Sequence, residues 1–302
     1  MKEATEHRIT ISPITRDQRR AGIIFIILPM VLFVTFSVYP MLYASYISLT
    51  NYSFNQSTKY VGAANFSRLL QDNVFQKAIA NTGLYTLGVV PSGMALSIFL
   101  AIILNQKIRG ITLFRIAFYL PVVTSTVAAG MIWLRLYAPS AGLINQVLAS
   151  TGLPPQRWLF DPKLALASVM VMSVWKTLGY TTVIYLAALQ GVPVHLYEAA
   201  EIDGATFWDK LINISLPLLK PATLYVLITS VISSFQVFGS VYVMTKGGPG
   251  HATTTIVHQI YLNGFRYLRM GYASAEALVL FVIIFSLSMI NWHFLKSDVE
   301  YW

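Results

Sequence analysis

Six mostly apolar runs limit what this chain can become more than any other feature. They cover residues 21–43, 78–104, 112–134, 164–189, 220–244 and 273–295. At about 1.5 Å of rise per residue, helices of these lengths can cross a hydrocarbon core of about 30 Å. Inside that layer the backbone has no water to bond, and a helix satisfies its own polar groups. The fold class expected is an all-α integral membrane protein of six transmembrane helices. Only 11% of residues are charged against 56% hydrophobic, and the mean hydropathy is +0.61, which a soluble core does not need. The net charge of +9 is no nucleic-acid signal, because the basic residues lie at the ends of apolar runs without interleaved aromatics. A lipid bilayer is the expected partner, and nucleic acid is not.

Residues 1–20 form a polar tail with five basic and three acidic side chains, and no signal peptide is read there. Such a tail favours a cytoplasmic N-terminus, and six crossings then return residues 296–302 to the same side. The polar stretch 190–219 falls on that side as well. Lysine and arginine number eleven on it, counting Arg115, and nine on the other, with Lys176 inside a run. Lys107 and Arg109 sit in a tight connection, whereas residues 135–163 make a longer one in which Trp158 and Phe160 suit an interfacial aromatic belt.

Several chemistries have no residues to carry them. There is no cysteine, and His7, His195, His251, His258 and His293 show no ligand spacing, so no metal site is expected. No G-x-x-x-x-G-K-[ST] is present to cradle a nucleotide, and neither H-E-x-x-H nor G-x-S-x-G occurs. No catalytic set and no cofactor is expected. A membrane enzyme would need a convergent acid/base set, and an ion-coupled transporter an inverted repeat or paired intramembrane acids. Neither pattern is visible.

The polar stretch 190–219 has a grammar of its own. Four of the chain's twelve acidic residues gather here as Glu198, Glu201, Asp203 and Asp209. Pro193 suits the start of a helix, which the spacing predicts over 194–202 with Ala199 and Ala200 as its strongest formers. Gly204 suits a left-handed helix end. Phe207, Leu211 and Ile214 then recur at helical spacing as an apolar face. Two adjacent alanines leave a low surface on which another protein can pack closely.

Glu198-Ala199-Ala200, three residues, Gly204-Ala205, then Ile214-x-Leu216-Pro217 nine residues beyond the glycine resembles the EAA loop of ABC importer permeases. Tyr39-Pro40, Val61-Gly62 with Asn65-Phe66, Trp175-Lys176, Gly247-Gly248-Pro249, Thr253-Thr254-Thr255 and Gly271-Tyr272-Ala273 are similar to its carbohydrate (maltose-like) branch. The resemblance implies the type I importer permease fold. One membrane domain would span 21–302, with a core module over about 78–295 and a coupling loop at 190–219. It also implies a second EAA-type permease, an ABC ATPase dimer and an extracytoplasmic solute-binding protein as partners. A sugar or oligosaccharide would be the substrate, with a glycerol-phosphate or polyol as the alternative. The setting would be a bacterial or archaeal cytoplasmic membrane. Glu198, Ala199, Ala200, Asp203, Gly204, Ala205, Ile214, Leu216 and Pro217 would couple to the ATPase.

A transport path through apolar helices needs polar side chains turned inward, since lipid-facing ones are costly. Ser173, Lys176, Thr177 and Tyr180 share one face of the fourth run, and Ser230, Ser233, Ser234 and Gln236 spread over a wider arc of the fifth. These eight are the expected pathway residues. Serine and threonine also serve as glue between membrane helices. Glu276, one turn into the sixth run, is expected at the membrane interface.

Overall fold

The computed structural model describes residues 16–54, 57–106 and 110–295. The tail before residue 16, Lys107, Arg109 and residues 296–302 lie outside the described residues. Among the described residues every regular element is helical, and an isolated antiparallel bridge pairs Thr50 with Tyr60.

The first span is α1 (Arg16–Phe33) and α2 (Tyr39–Ser48), joined through a widened turn at Val34–Val38. A short α3 (Ala64–Gln71) precedes the second span, α4 (Asn73–Leu104). The third is split into α5 (Ile111–Val123) and α6 (Thr126–Leu136), and after α7 (Leu143–Ser150) comes the fourth, α8 (Ala165–Gln190). The polar stretch folds as α9 (Val194–Ile202), α10 (Phe207–Lys210), a wide turn at Leu211–Ser215 and α11 (Leu216–Leu218). α12 (Lys220–Phe235) is the fifth span. Two short helices, α13 (Gly239–Met244) and α14 (Ile256–Tyr261), lead to the sixth, α15 (Met270–Leu295).

α4 and α8 are the central pair, with α5 packed on α8, α12 on both, and α15 against α12. Polar and small residues bring them close. The hydroxyls of Ser97 and Thr181 bond across α4 and α8. At Gly179 the backbone of α5 lies so near that a Cβ would sit 2.2 Å from the Phe118 carbonyl oxygen. Such close backbone approach is how membrane helices gain packing when lipid is as apolar as their side chains. The first span behaves differently. Its apolar stretch is unburied, and only the α2 end rests on α15.

Two expected spans need correction. Residues 112–134 are not one straight helix, because α5 and α6 meet at an angle of 103° across Thr124–Ser125. Pro121 has no N–H for the preceding turn, and the Thr124 hydroxyl bonds the Leu120 carbonyl at 3.0 Å, which diverts the ladder. Residues 220–244 are likewise not one helix: α12 stops at Phe235, and α13 begins only at Gly239. Glu276, near the start of α15, does not face outward from the bundle. It is fully buried, and the Asn263 side-chain amide donates to its Oε1 at 3.0 Å. Trp158 is half-buried, with Nε1 donating to Asn145 Oδ1 at 2.9 Å.

The end of the bundle far from α9 is tied together by the motif around Gly247. Asn81 donates to the carbonyls of His251 and Thr254, both at 2.9 Å, and Lys77 to that of Gly250 at 2.8 Å. Thr253, Thr254 and Thr255 donate to the carbonyls of Gly248, Gly247 and Val237. The threonine run therefore folds the α13–α14 connection onto itself, and Asn81 and Lys77 tie that connection to α4.

Gly179→Ala is expected to force α5 away from α8, since the obstructing atoms are backbone and cannot rotate aside. The expected loss is about 1–3 kcal/mol, the usual scale of overpacking. Thermal unfolding of the detergent-purified chain measures it, with Gly83→Ala, where no atom lies within 4 Å, as the control. Equal melting temperatures for the two variants would refute the close approach.

Candidate translocation cavity and coupling loop

α8 and α12 face each other across a cavity of about 140 Å³, with α4 as the third wall. α8 contributes Ser173, Thr177, Tyr180 and Thr181; α12 contributes Thr229, Ser230, Ser233 and Ser234; α4 contributes Tyr85. Six of the expected pathway residues are therefore brought together here. Several hydroxyls already spend their proton on their own helix. Ser173 donates to the Val169 carbonyl at 2.9 Å, Thr177 to that of Ser173 at 3.0 Å, and Thr229 to that of Tyr225 at 2.8 Å. Their oxygens keep free lone pairs, so the wall is rich in acceptors. Tyr180 and Tyr225 meet hydroxyl to hydroxyl at 3.4 Å.

Lys176 and Gln236 are not in this wall. Gln236 is the exposed cap residue that ends α12. Lys176 turns the other way and donates from Nζ to the Thr124 carbonyl at 2.7 Å. That carbonyl ends α5 at the break, where a continuous helix would have supplied an N–H. A cation there also meets the negative end of the half-helix dipole. Sequence reasoning missed Tyr85, Thr181, Tyr225 and Thr229. Thr181 and Thr229 stand four residues from Thr177 and Ser233, so the same helical spacing could have found them.

Lys176→Met is expected to leave the Thr124 carbonyl without its donor, at a cost of about 1–3 kcal/mol for an unsatisfied buried group. Substrate affinity should stay within about twofold, because the side chain does not line the cavity. Thermal stability and concentration-dependent uptake, measured together, check this. A large loss of affinity at unchanged stability would return Lys176 to the pathway.

At the other end, α9 runs from its cap at Pro193 to Ile202, as the spacing predicts. Its end follows from Gly204, at φ +78°. The Gly204 N–H bonds the Glu201 carbonyl at 3.1 Å, and the Ala205 N–H reaches the Ala200 carbonyl at 2.9 Å. These two bonds are the Schellman arrangement that a left-handed residue permits. Thr206 then caps α10 reciprocally with Asp209: the Asp209 N–H donates to Thr206 Oγ1 at 3.3 Å, and the Thr206 N–H to Asp209 Oδ2 at 2.8 Å. Lys210 pairs with Glu201 at 2.8 Å, and Tyr197 shares a 2.9 Å hydrogen bond with Ser215. Both contacts hold the two halves of the loop as one unit.

That unit presents an apolar outer surface. Glu198, Ala199, Asp203 and Gly204 are exposed, whereas Ala200, Ala205, Ile214 and Pro217 are half-buried and Leu216 is 40% exposed. Ile202 is 87% and Trp208 65% exposed, with Val194, Phe207 and Ile212 also open. Exposed apolar side chains this concentrated mark a protein–protein or membrane interaction surface.

Residues 93–296 match the family described as the binding-protein-dependent transport system inner membrane component. The chain belongs to that family. Members work with a second permease and a separate ATPase subunit. One relative of this permease is the arabinooligosaccharides transport system permease protein AraP of Bacillus subtilis, 34% identical over 87% of this chain and 85% of its own. Another is the sn-glycerol-3-phosphate transport system permease protein UgpA of Agrobacterium fabrum, 31% identical over 90% and 93%. A probable ABC transporter permease of Pyrococcus horikoshii is 32% identical over 90% and 95%. Among solved structures, a bacterial alginate ABC transporter in complex with an alginate pentasaccharide-bound periplasmic protein superposes with a TM-score of 0.81. It is 26% identical, over 92% of this chain and 95% of that one. A second alginate importer structure gives 0.83 at 24% identity, over 94% and 99%, which shows the fold.

Proposed function

We propose that this permease forms half of the path by which an ABC importer moves a neutral sugar or oligosaccharide. The observation that carries the reading is the cavity wall. It offers hydroxyl oxygens from serine, threonine and tyrosine, and no lysine, arginine or histidine lines it. Sugar hydroxyls are donors that such a wall accepts, whereas a phosphate ester would need a cation. The relatives point both ways, one to arabinooligosaccharides and one to glycerol phosphate. Lys176, the one cation that could have served a phosphate from α8, is engaged at the α5 break. The glycerol-phosphate alternative is the weaker reading for that reason.

The loop 190–219 faces the cytoplasm in this proposal and docks through Glu198, Ala199, Ala200, Asp203, Gly204 and Ala205 on the ATPase. Its exposed apolar residues and its internal ties support the assignment. The unburied first span suits the flank of the second permease.

Three measurements test this reading. Ser233→Leu fills the cavity and is expected to cut uptake of an arabino-oligosaccharide at least tenfold in the reconstituted importer, while glycerol 3-phosphate is not transported by the wild type. Transport of glycerol 3-phosphate in preference to sugars would reverse the choice. Ala199→Arg is expected to abolish stimulation of the ATPase while the chain still inserts, and normal stimulation would remove the docking assignment. The chain has no cysteine, so single-cysteine labelling reports orientation directly. An impermeant thiol reagent should label Lys163→Cys in intact cells and leave Asp203→Cys untouched.

A further inference from the structure

A groove of about 520 Å³ runs along the flank of the bundle between α5 and α8. Leu104, Ile116, Phe118, Val123, Val183 and Leu186 line it, and the two backbones meet in it at Gly179. Thr182 lines it too, but its hydroxyl is spent on the Leu178 carbonyl at 2.7 Å. Such a wall offers few acceptors to a sugar. It shares no residue with the translocation cavity, so it is not a station on the substrate path.

A cation stands at the end of the groove nearest the coupling loop. Arg115 lines the groove, is exposed, and donates from Nη2 to the Leu104 carbonyl at 3.3 Å. That bond steadies the guanidinium at the groove mouth and leaves most of its five N–H donors open. Among the described residues the ion pair is Lys210–Glu201, so no carboxylate neutralises Arg115. In the sequence Lys107 and Arg109 come just before α5, and no acidic residue occurs between Asp72 and Asp161. From Arg115 to Val123 the groove follows α5 for about 12 Å at the helical rise. Half of a hydrocarbon core of about 30 Å is about 15 Å, so the groove is as deep as one leaflet. Its inner end coincides with the break between α5 and α6 at Thr124–Ser125.

We propose that this groove binds an anionic phospholipid of the cytoplasmic leaflet, with one acyl chain between α5 and α8 and its phosphate on Arg115. The choice of leaflet rests on the orientation proposed above; the groove and its cation do not. An apolar channel one leaflet deep, ending at a guanidinium, matches a lipid in length and in charge. Basic pockets between membrane helices on the cytoplasmic side recognise headgroups in this way, and the planar fork of arginine meets phosphate oxygens two at a time. A helix of the second permease is the rival occupant. It would run the full thickness of the membrane, whereas the groove stops where α5 bends. The first span, read above as the flank of that partner, rests on α15, while α5 packs on α8.

The test places the complete importer in phosphatidylcholine nanodiscs with a trace of lipid that carries a photoactivatable acyl chain, and maps the adducts. Phosphatidylglycerol probe should label residues 111–123 and 179–189 at least about fivefold more than phosphatidylcholine probe at the same mole fraction. Arg115→Gln should bring the two probes level without lowering the phosphatidylcholine signal, which also shows that the variant is folded. Val183→Phe, at a half-exposed groove position, should cut labelling by both probes at least about threefold. Lys220→Gln, at the same end of the bundle but outside the groove, should leave the preference unchanged. Equal labelling by the two probes in the wild type, or a preference that survives Arg115→Gln, overturns the proposal. So does displacement by glycerophosphoglycerol, the same headgroup without acyl chains, which would make the site one for a free anion. Labelling of the chain alone that vanishes in the complete importer would give the groove to the second permease. Failure of Lys163→Cys to label from outside would move the lipid to the other leaflet and leave the adduct map unchanged, so the two results are separable.

Discussion

A helix that stops inside an apolar layer leaves carbonyls that water cannot reach, and much of this structure follows from how that is resolved. The third span breaks at Thr124, and the donor that meets its carbonyl is the ammonium of Lys176 on α8. A central lysine costs about 2.5–3.5 kcal/mol on insertion scales, so its presence requires a compensating contact. The contact also locks α5 against α8, where Gly179 allows the two backbones to touch. The lysine and the glycine, one turn apart, thus set the position of α5 from both sides.

Placing Lys176 there changes the chemistry of the cavity. With its one nearby cation withdrawn, the wall between α8 and α12 holds hydroxyls and aromatic rings. The hydroxyls of Ser173, Thr177, Thr181 and Thr229 are anchored by donating to their own helix, which satisfies them without filling the space between the helices. A site of this kind binds through lone pairs and shape, not charge. It suits a polyol whose hydroxyl groups must leave water one by one and be met by acceptors. The cost of the helix break and the neutrality of the cavity have a common origin in one side chain.

The sequence made some of this legible and hid the rest for definite reasons. Apolar run length announced six crossings, and the spacing of Glu198, Gly204 and Pro217 located α9 and its left-handed end. Helical periodicity put Ser173, Thr177 and Tyr180 on one face, and they do share one cavity. Periodicity alone could not separate Lys176 from them. It stands at the edge of the same arc, and a long flexible side chain chooses its direction by what lies across the gap. Hydropathy likewise could not show that 112–134 and 220–244 are bent or interrupted, because every half-helix is as apolar as a whole one. Pro121 beside Thr124-Ser125 was the available sign. Glu276 was placed from its depth alone, which could not show its burial or the Asn263 amide that meets it from another element thirteen residues away in the chain. Long-range partners of that kind leave no mark on local composition.

The loop and the cavity are linked by construction. α8 runs directly into α9, and α11 runs into α12, so the two helices that wall the cavity are the two that flank the loop. Between them the loop is stiffened by the Schellman end at Gly204, the reciprocal cap of Thr206 and Asp209, the Glu201–Lys210 pair and the Tyr197–Ser215 bond. A soft loop would absorb a push at its surface in its own backbone. A stiff one passes it to its ends, and here those ends are the feet of α8 and α12. Between residues 207–218 and α12 the chain bends by 62°, so the loop meets the foot of α12 at an angle. The surface exposed at Ala199, Ile202 and Trp208 and the hydroxyls at Ser173 and Ser233 are thus joined through two continuous stretches of chain.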